Sequence, residues 1–230
     1  HMLLEGKNAI ITGARRGIGR ATVEVFAQNG ANVWACARKQ DDAFEADMER
    51  ISKQYGTWIK PVYFDATDAA ASREAMNDIF AEKKAIHALV NNAGQVRYDA
   101  FSMMSEVNLR NMLECNYIAP LLLTQRVVRA MAKNGGGSVI FVTSVSGLHA
   151  EVGCTAYGGS KAAMTHATGV LARELAAYNV RVNAIAPGSV PTPATEGFVT
   201  PEQYEQRAKN IPLRRNGAPG GPWFAAAPTG

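Results

Sequence analysis

The feature that most constrains this chain is a repeated alternation of short apolar or β-branched runs with longer stretches of helical spacing. Residues 8–12 read as a first strand. Residues 17–29 read as a helix with Ile18, Ala21, Val25 and Phe26 along one face, and Gly30 reads as its left-handed stop. Further strands are predicted over 32–37, 58–64, 88–91, 138–143 and 180–185, and helices over 41–55, 68–83, 105–133 and 156–178. Three consecutive glycines, 135–137, break the longest helical region. Strands that alternate with helices predict an α/β protein: a parallel sheet with helices on both faces. Right-handed crossovers bring the strand C-termini to one edge, where a ligand cleft is expected.

Composition excludes other classes. A chain of 230 residues supports one large domain, expected over 3–215. The net charge of +4 is carried by scattered Lys and Arg, without the clustered basic face that nucleic-acid binding needs. No apolar run reaches a membrane span, and no basic segment followed by an apolar one reads as a leader. Cys36, Cys115 and Cys154 are odd in number and far apart, and no Cys/His cluster accompanies them. Neither a disulfide framework nor a metal site is expected, and a reducing cytoplasm suits such a chain. Over 216–230, seven of fifteen residues are Gly or Pro, which predicts an irregular tail.

The turn between the first strand and first helix reads Thr12-Gly13-Ala14-Arg15-Arg16-Gly17-Ile18-Gly19. Glycines there let the backbone approach a pyrophosphate, and a helix N-terminus offers it free N–H groups. A dinucleotide with a bare adenosine ribose is usually met by an acid at the end of the second strand. Here that end reads Cys36-Ala37-Arg38-Lys39, with no acid before Asp41. Arg38 and Arg16 are therefore expected to grip a 2′-phosphate, which favours NADP(H) over NAD(H).

Tyr157 and Lys161 are four residues apart on a predicted helix, hence one turn apart on one face. A free phenol titrates near pH 10 and is a poor base at neutrality, but a neighbouring ammonium favours its ionised form. Ser144, thirteen residues before Tyr157, ends the fifth strand at the expected cleft edge, where its hydroxyl would meet a substrate carbonyl. Asn91-Asn92-Ala93-Gly94 ends the fourth strand on that edge. Asn116 lies inside the long helical region, where asparagine is a mediocre helix former, and a plain reading is a buried polar group tying two backbones together.

The glycine loop, Asn91-Asn92-Ala93-Gly94, Ser144 before Tyr157-Gly158-Gly159-Ser160-Lys161, and Pro187-Gly188 stand in the order and spacing of the short-chain dehydrogenase/reductase family. The resemblance runs over roughly 4–217 and leans toward the 3-oxoacyl-[acyl-carrier-protein] reductases through residues 182–188 and 211–215. It implies a Rossmann-type doubly wound parallel sheet in three layers. It further implies Tyr157 as acid/base, Lys161 on the nicotinamide ribose and lowering the Tyr157 pKa, Ser144 polarising the carbonyl, and Asn116 holding a water that relays protons. Gly13, Arg15, Arg16, Gly17, Ile18, Gly19 and Arg38 would hold the phosphates. Asp65 and Ala66 would face the adenine, and Asn92, Ala93 and Gly94 the adenosine ribose side. Pro187, Gly188, Val190 and Thr192 would clasp the nicotinamide end, with a substrate lid around 189–211.

The activity so implied is NADPH-dependent reduction of a ketone to a secondary alcohol, most readily a 3-oxoacyl thioester. The alternatives are a related dehydrogenase acting on a sugar, polyol or steroid, or a cofactor-binding module made inactive by its C-terminus. An acyl carrier protein would be the acidic partner; Tyr178 stands where the family often has an arginine for it, leaving Arg126, Arg129 and Arg173. A homotetramer or dimer is the family habit. Family members also continue into a further helix and seventh strand, where this chain has a Gly/Pro-rich stretch, so a sheet without the usual last strand is expected.

Overall fold

The computed structural model describes residues 2–193, 195 and 198–220. Six strands form one parallel sheet: β1 Asn8–Thr12, β2 Asn32–Ala37, β3 Ile59–Tyr63, β4 Ala88–Asn91, β5 Gly137–Val142 and β6 Val180–Ile185. Their spatial order is β3-β2-β1-β4-β5-β6. The order reverses between β1 and β4, and that switch opens a crevice beyond the strand C-termini. As expected, the described sheet has no seventh strand, and β6 lies at its edge.

The alternation of side chains along each strand divides the core. Ile10, Trp34, Leu89 and Phe141 pack under α3 (Ala69–Ala81), α5 (Ala119–Lys133) and α6 (Thr155–Glu174). Ile11, Val33, Ala35 and Val90 pack under α1 (Gly17–Gln28) and α2 (Asp42–Tyr55). The result is three layers, as the family resemblance implies.

Helix ends differ from expectation where a side chain caps rather than continues. Asp41 and Asp68 lie outside their helices, accepting from Phe44 N and from Ala70 and Ala71 N. The single helix expected over 105–133 is instead α4 (Glu106–Leu113), a π-helical turn Glu114–Ile118, and α5. One extra residue in that turn rotates Asn116 into the interior, where it is 2% exposed. The helix expected to reach 178 ends at Glu174 and is followed by a tight turn, Ala176–Tyr178. After β6, the chain forms α7 (Pro201–Asn210), whose first turn is fixed by a Thr200/Gln203 capping box. Residues 216–220 carry neither helix nor strand, and 221–230 of the expected irregular tail lie outside the described residues. Within the lid region, 194, 196 and 197 lie outside them too. Among the described residues no helix is long and apolar enough to cross a membrane.

Candidate active site

Thr12 fastens the sheet at its switch point. Its hydroxyl donates to Val90 O and accepts from Asn92 N and Ala93 N, both at 3.0 Å. Asn92 adds bonds from its amide to the Thr12 and Gly13 carbonyls. Asn92, expected to line the ribose, thus spends its amide nitrogen tying β4 to the glycine turn. Gly13 needs its left-handed φ of +65°, and a Cβ there would lie 2.7 Å from the Asn92 amide.

The N-terminus of α1 has no side-chain cap and no acid in its first turn. By contrast Asp41, Asp68, Ser105 and Thr200 cap their own helices. The first-turn N–H groups at Gly17, Ile18 and Gly19 are thus left without a side-chain cap, and Thr192 lies 3.5 Å from where a Gly17 Cβ would sit. An uncapped N-terminus flanked by arginines fits the anionic bridge of a dinucleotide. Arg16 is extended (φ −155°, ψ 171°), so it and Arg15 point to opposite sides. Arg15 pairs with Asp41 beyond the end of β2. Arg16 turns the other way and lines an open cleft of about 350 Å³ with Gly94, Val96 and Phe198. Arg16, expected to work with Arg38, thus lines this cleft, while Arg15 holds Asp41.

Asp65 binds Thr67, which together with the charge of Arg38 holds its carboxyl below the usual range; Ala66 beside it is half-buried. Pro187 accepts from Val145 N, which fixes the chain after β6 to the turn after β5. Val190 packs at Gly217, whose N–H binds Ser189 O, while Gly188 is exposed.

The first turns of α6 carry the chemistry. Tyr157 is 8% exposed and packs with Met112, Cys154, Val96 and Tyr98. Burial pushes its phenol up to about 12, with the Ser144 hydroxyl pulling the other way through a hydrogen bond. Ser144 is placed by capping the short turn after β5, accepting from Ser146 N at 3.1 Å. Lys161 lies on the same face, as its spacing predicts. Its ammonium donates to Val142 O at 2.8 Å and sits 6.0 Å from the Tyr157 ring centroid, and burial pushes it down to about 8. The lysine was expected to lower the phenol's pKa; here burial is the largest influence on each group, raising the phenol and lowering the ammonium.

Asn116 is bound on every side. It accepts from Gln95 N and donates to Gln95 O and Ser160 Oγ, and Ser160 in turn donates to Tyr157 O. The plain reading of Asn116, a tie between backbones, describes this geometry. Cys154 is buried against Tyr157, its thiol raised to about 11 by burial. Three contributors escaped the sequence reading: Thr12, Ser160 and Tyr98. Thr12 and Ser160 stand inside the glycine turn and the Tyr157–Lys161 motif, but their decisive bonds reach across 80 and 44 residues, and Tyr98 acts through ring packing.

The short chain dehydrogenase family pattern matches residues 7–203. A 3-oxoacyl-[acyl-carrier-protein] reductase of Thermotoga maritima is 37% identical over 221 residues, spanning 95% of this chain and 87% of that protein. The 7alpha-hydroxysteroid dehydrogenase of Escherichia coli is 33% identical over 219 residues, 95% of this chain and 85% of its own length. Among solved structures, a 7 alpha-hydroxysteroid dehydrogenase complexed with NADH and 7-oxo glycochenodeoxycholic acid superposes with a TM-score of 0.87 at 34% identity, covering 94% of this chain and 84% of that one. The L-sorbose reductase of Gluconobacter frateurii, complexed with NADPH and L-sorbose, gives 0.87 at 26% identity over 95% and 87%. The chain belongs to the short-chain dehydrogenase family and is an oxidoreductase acting on CH–OH groups with a nicotinamide cofactor.

Proposed function

We propose that this protein reduces a ketone to a secondary alcohol with NADPH, and that its substrate is a 3-oxoacyl thioester. The observation that carries the reading is a buried phenol with a serine hydroxyl against it, at the edge of an open cleft beside the switch point. A bound nicotinamide would exchange hydride with the carbonyl carbon. Ser144 donates a hydrogen bond to the carbonyl oxygen as negative charge grows there, and Tyr157 gives that oxygen a proton. A phenol raised to about 12 stays protonated at neutral pH, as a donor must. Lys161 binds the ribose, and Asn116 holds the Gln95 backbone and Ser160 in register beneath Tyr157. The stretch 189–211 acts as a lid, with Phe198 over the cleft.

Similarity to the Thermotoga maritima reductase favours the thioester, and an acyl carrier protein as the donor of that substrate. Steroid and sugar relatives make other ketones the rivals to test. Three free cysteines suit work in the cytoplasm. The decisive assay follows NADPH oxidation against a 3-oxoacyl thioester, a keto-steroid and a keto-sugar. A kcat/KM at least tenfold higher on the thioester is expected; preference for either other class overturns the substrate assignment.

NADPH preference rests on Arg38, exposed just after β2 with no acid before Asp41, and Asp41 is itself paired with Arg15. Losing a charge-assisted bond to a 2′-phosphate costs about 1.5–3 kcal/mol, roughly tenfold to a hundredfold in affinity. Arg38→Asp is therefore expected to shift the NADPH/NADH selectivity ratio by at least tenfold toward NADH. An unchanged ratio in kcat/KM removes the argument for NADP(H).

A further inference from the structure

Three segments far apart in sequence meet at one guanidinium. Arg207, on α7, donates to Glu151 Oε1 at 2.9 Å, across 56 residues. Its guanidinium carbon also lies 5.8 Å from the centre of the Tyr98 ring, in the loop after β4. Glu151 belongs to the loop that leads into α6, and its other oxygen faces the Cys154 thiol at 3.7 Å. The two loops are themselves joined, Asp99 N donating to Gly153 O at 3.0 Å. Tyr98 is backed on the other side by Tyr157, ring centres 6.3 Å apart and tilted 54°. The only charged group of α7 that reaches this wall among the described contacts thus touches the ring that packs on the acid/base.

We propose that Arg207 is a positioning residue for Tyr157: by bridging to Glu151 and pressing on Tyr98, it sets the orientation of the phenol. The inference rests on the reading of Tyr157 as acid/base, but the contact it invokes stands apart from that reading. A planar guanidinium can hold a carboxylate and cover an aromatic face together, which an ammonium does less well. The pair is partly exposed, with side chains 33% and 43% accessible, so its attraction alone would be modest. Its leverage comes from where it acts. A small displacement of a catalytic group is magnified in rate because reacting atoms must be aligned closely.

The experiment joins kinetics to a signal that needs no substrate. In protein labelled with ¹³C at tyrosine Cζ, the Tyr157 resonance is assigned among seven tyrosines by its loss in Tyr157→Phe. Arg207→Gln is expected to move that resonance, and Glu151→Gln to move it in the same direction. In a Tyr98→Ala background, Arg207→Gln should add nothing. On the preferred ketone, Arg207→Gln should lower kcat about five- to tenfold, less than the hundredfold a displaced catalytic group can cost, with KM within about twofold. Arg207→Lys should recover part of that loss. A Tyr157 resonance that stays put in both Arg207→Gln and Glu151→Gln overturns the proposal, as does a rise in KM with kcat unchanged. Turnover that survives in Tyr157→Phe sinks the acid/base reading instead, and the resonance then still reports whether Arg207 reaches Tyr157.

Discussion

Tyr157→Phe is expected to lower turnover by about 10²–10⁴-fold, the usual worth of a placed proton-transfer group, while NADPH affinity stays near that of the unaltered protein. The substitution removes one oxygen and keeps the ring. Packing on Met112, Cys154, Val96 and Tyr98 survives, so the apolar cluster at the head of α6 is retained. Ser144 loses a partner but still accepts from Ser146 N, so the stability cost should stay within about 1 kcal/mol. The direction of the pH dependence follows from the phenol's surroundings. Pushed up to about 12 by burial, it is a ready donor for ketone reduction across neutral pH. Alcohol oxidation needs it ionised, and the ionised fraction grows tenfold per pH unit below that value. Oxidation by the intact protein should therefore climb steeply with pH while reduction stays level, and Tyr157→Phe should lose both. Steady-state rates in each direction from pH 6 to 9, with NADPH binding followed by fluorescence, check this (roughly the range in which the fold should remain stable). A variant that keeps most of its turnover removes Tyr157 from the chemistry.

What could be read from the sequence, and what could not, divides along the range of the forces involved. Strands β1, β2, β4 and β6 lie where alternating apolar runs put them, because burial on a parallel sheet is written into consecutive residues. The helical pattern takes in Asp41 and Asp68, one position too early, since a capping side chain and a helical one look alike until the accepted N–H is known. The π-helical turn at Glu114–Ile118 left no mark on the periodicity. Its cause is Asn116 meeting Gln95 and Ser160, residues 21 and 44 positions away. At the site, the placement of Tyr157, Lys161 and Ser144 on one edge was legible from spacing. The electrostatics were not, because desolvation depends on what the rest of the chain covers. The spacing implied that Lys161 would lower the Tyr157 pKa; in the fold the ammonium donates to Val142 O and burial raises the phenol. Arg207 and Glu151 lie on exposed stretches whose charges look like ordinary solvated ones, and only the fold brings them to Tyr98.

Gly19→Ala should abolish tight dinucleotide binding while the same change at Gly169 should be harmless. Both positions are helical, and alanine is favoured over glycine in a helix interior by about 1 kcal/mol. At Gly169 nothing lies within 4 Å of the added carbon, so the propensity gain should appear as a stability increase of up to about 1 kcal/mol. At Gly19 the added carbon would overlap the Gly13 carbonyl oxygen and the Asn92 amide, well inside the 3.0 Å that Cβ atoms keep. Neither neighbour can step aside cheaply. The Gly13 carbonyl is backbone in a left-handed turn, and Asn92 is held to Thr12 O as well as to Gly13 O. Relief therefore requires α1 to move away from β1, at an overpacking cost of about 1–3 kcal/mol that exceeds the propensity gain. Such a movement carries off the free N–H groups at Gly17, Ile18 and Gly19 from the place where a pyrophosphate would lie. A loss of NADPH affinity of at least a hundredfold is expected, roughly 2.7 kcal/mol or more, with thermal stability lowered in the same variant. Isothermal titration with NADPH beside thermal melts of both variants separates the effects. Equal, near-normal affinity in the two would mean that the close approach of α1 to the glycine turn is not what holds the cofactor.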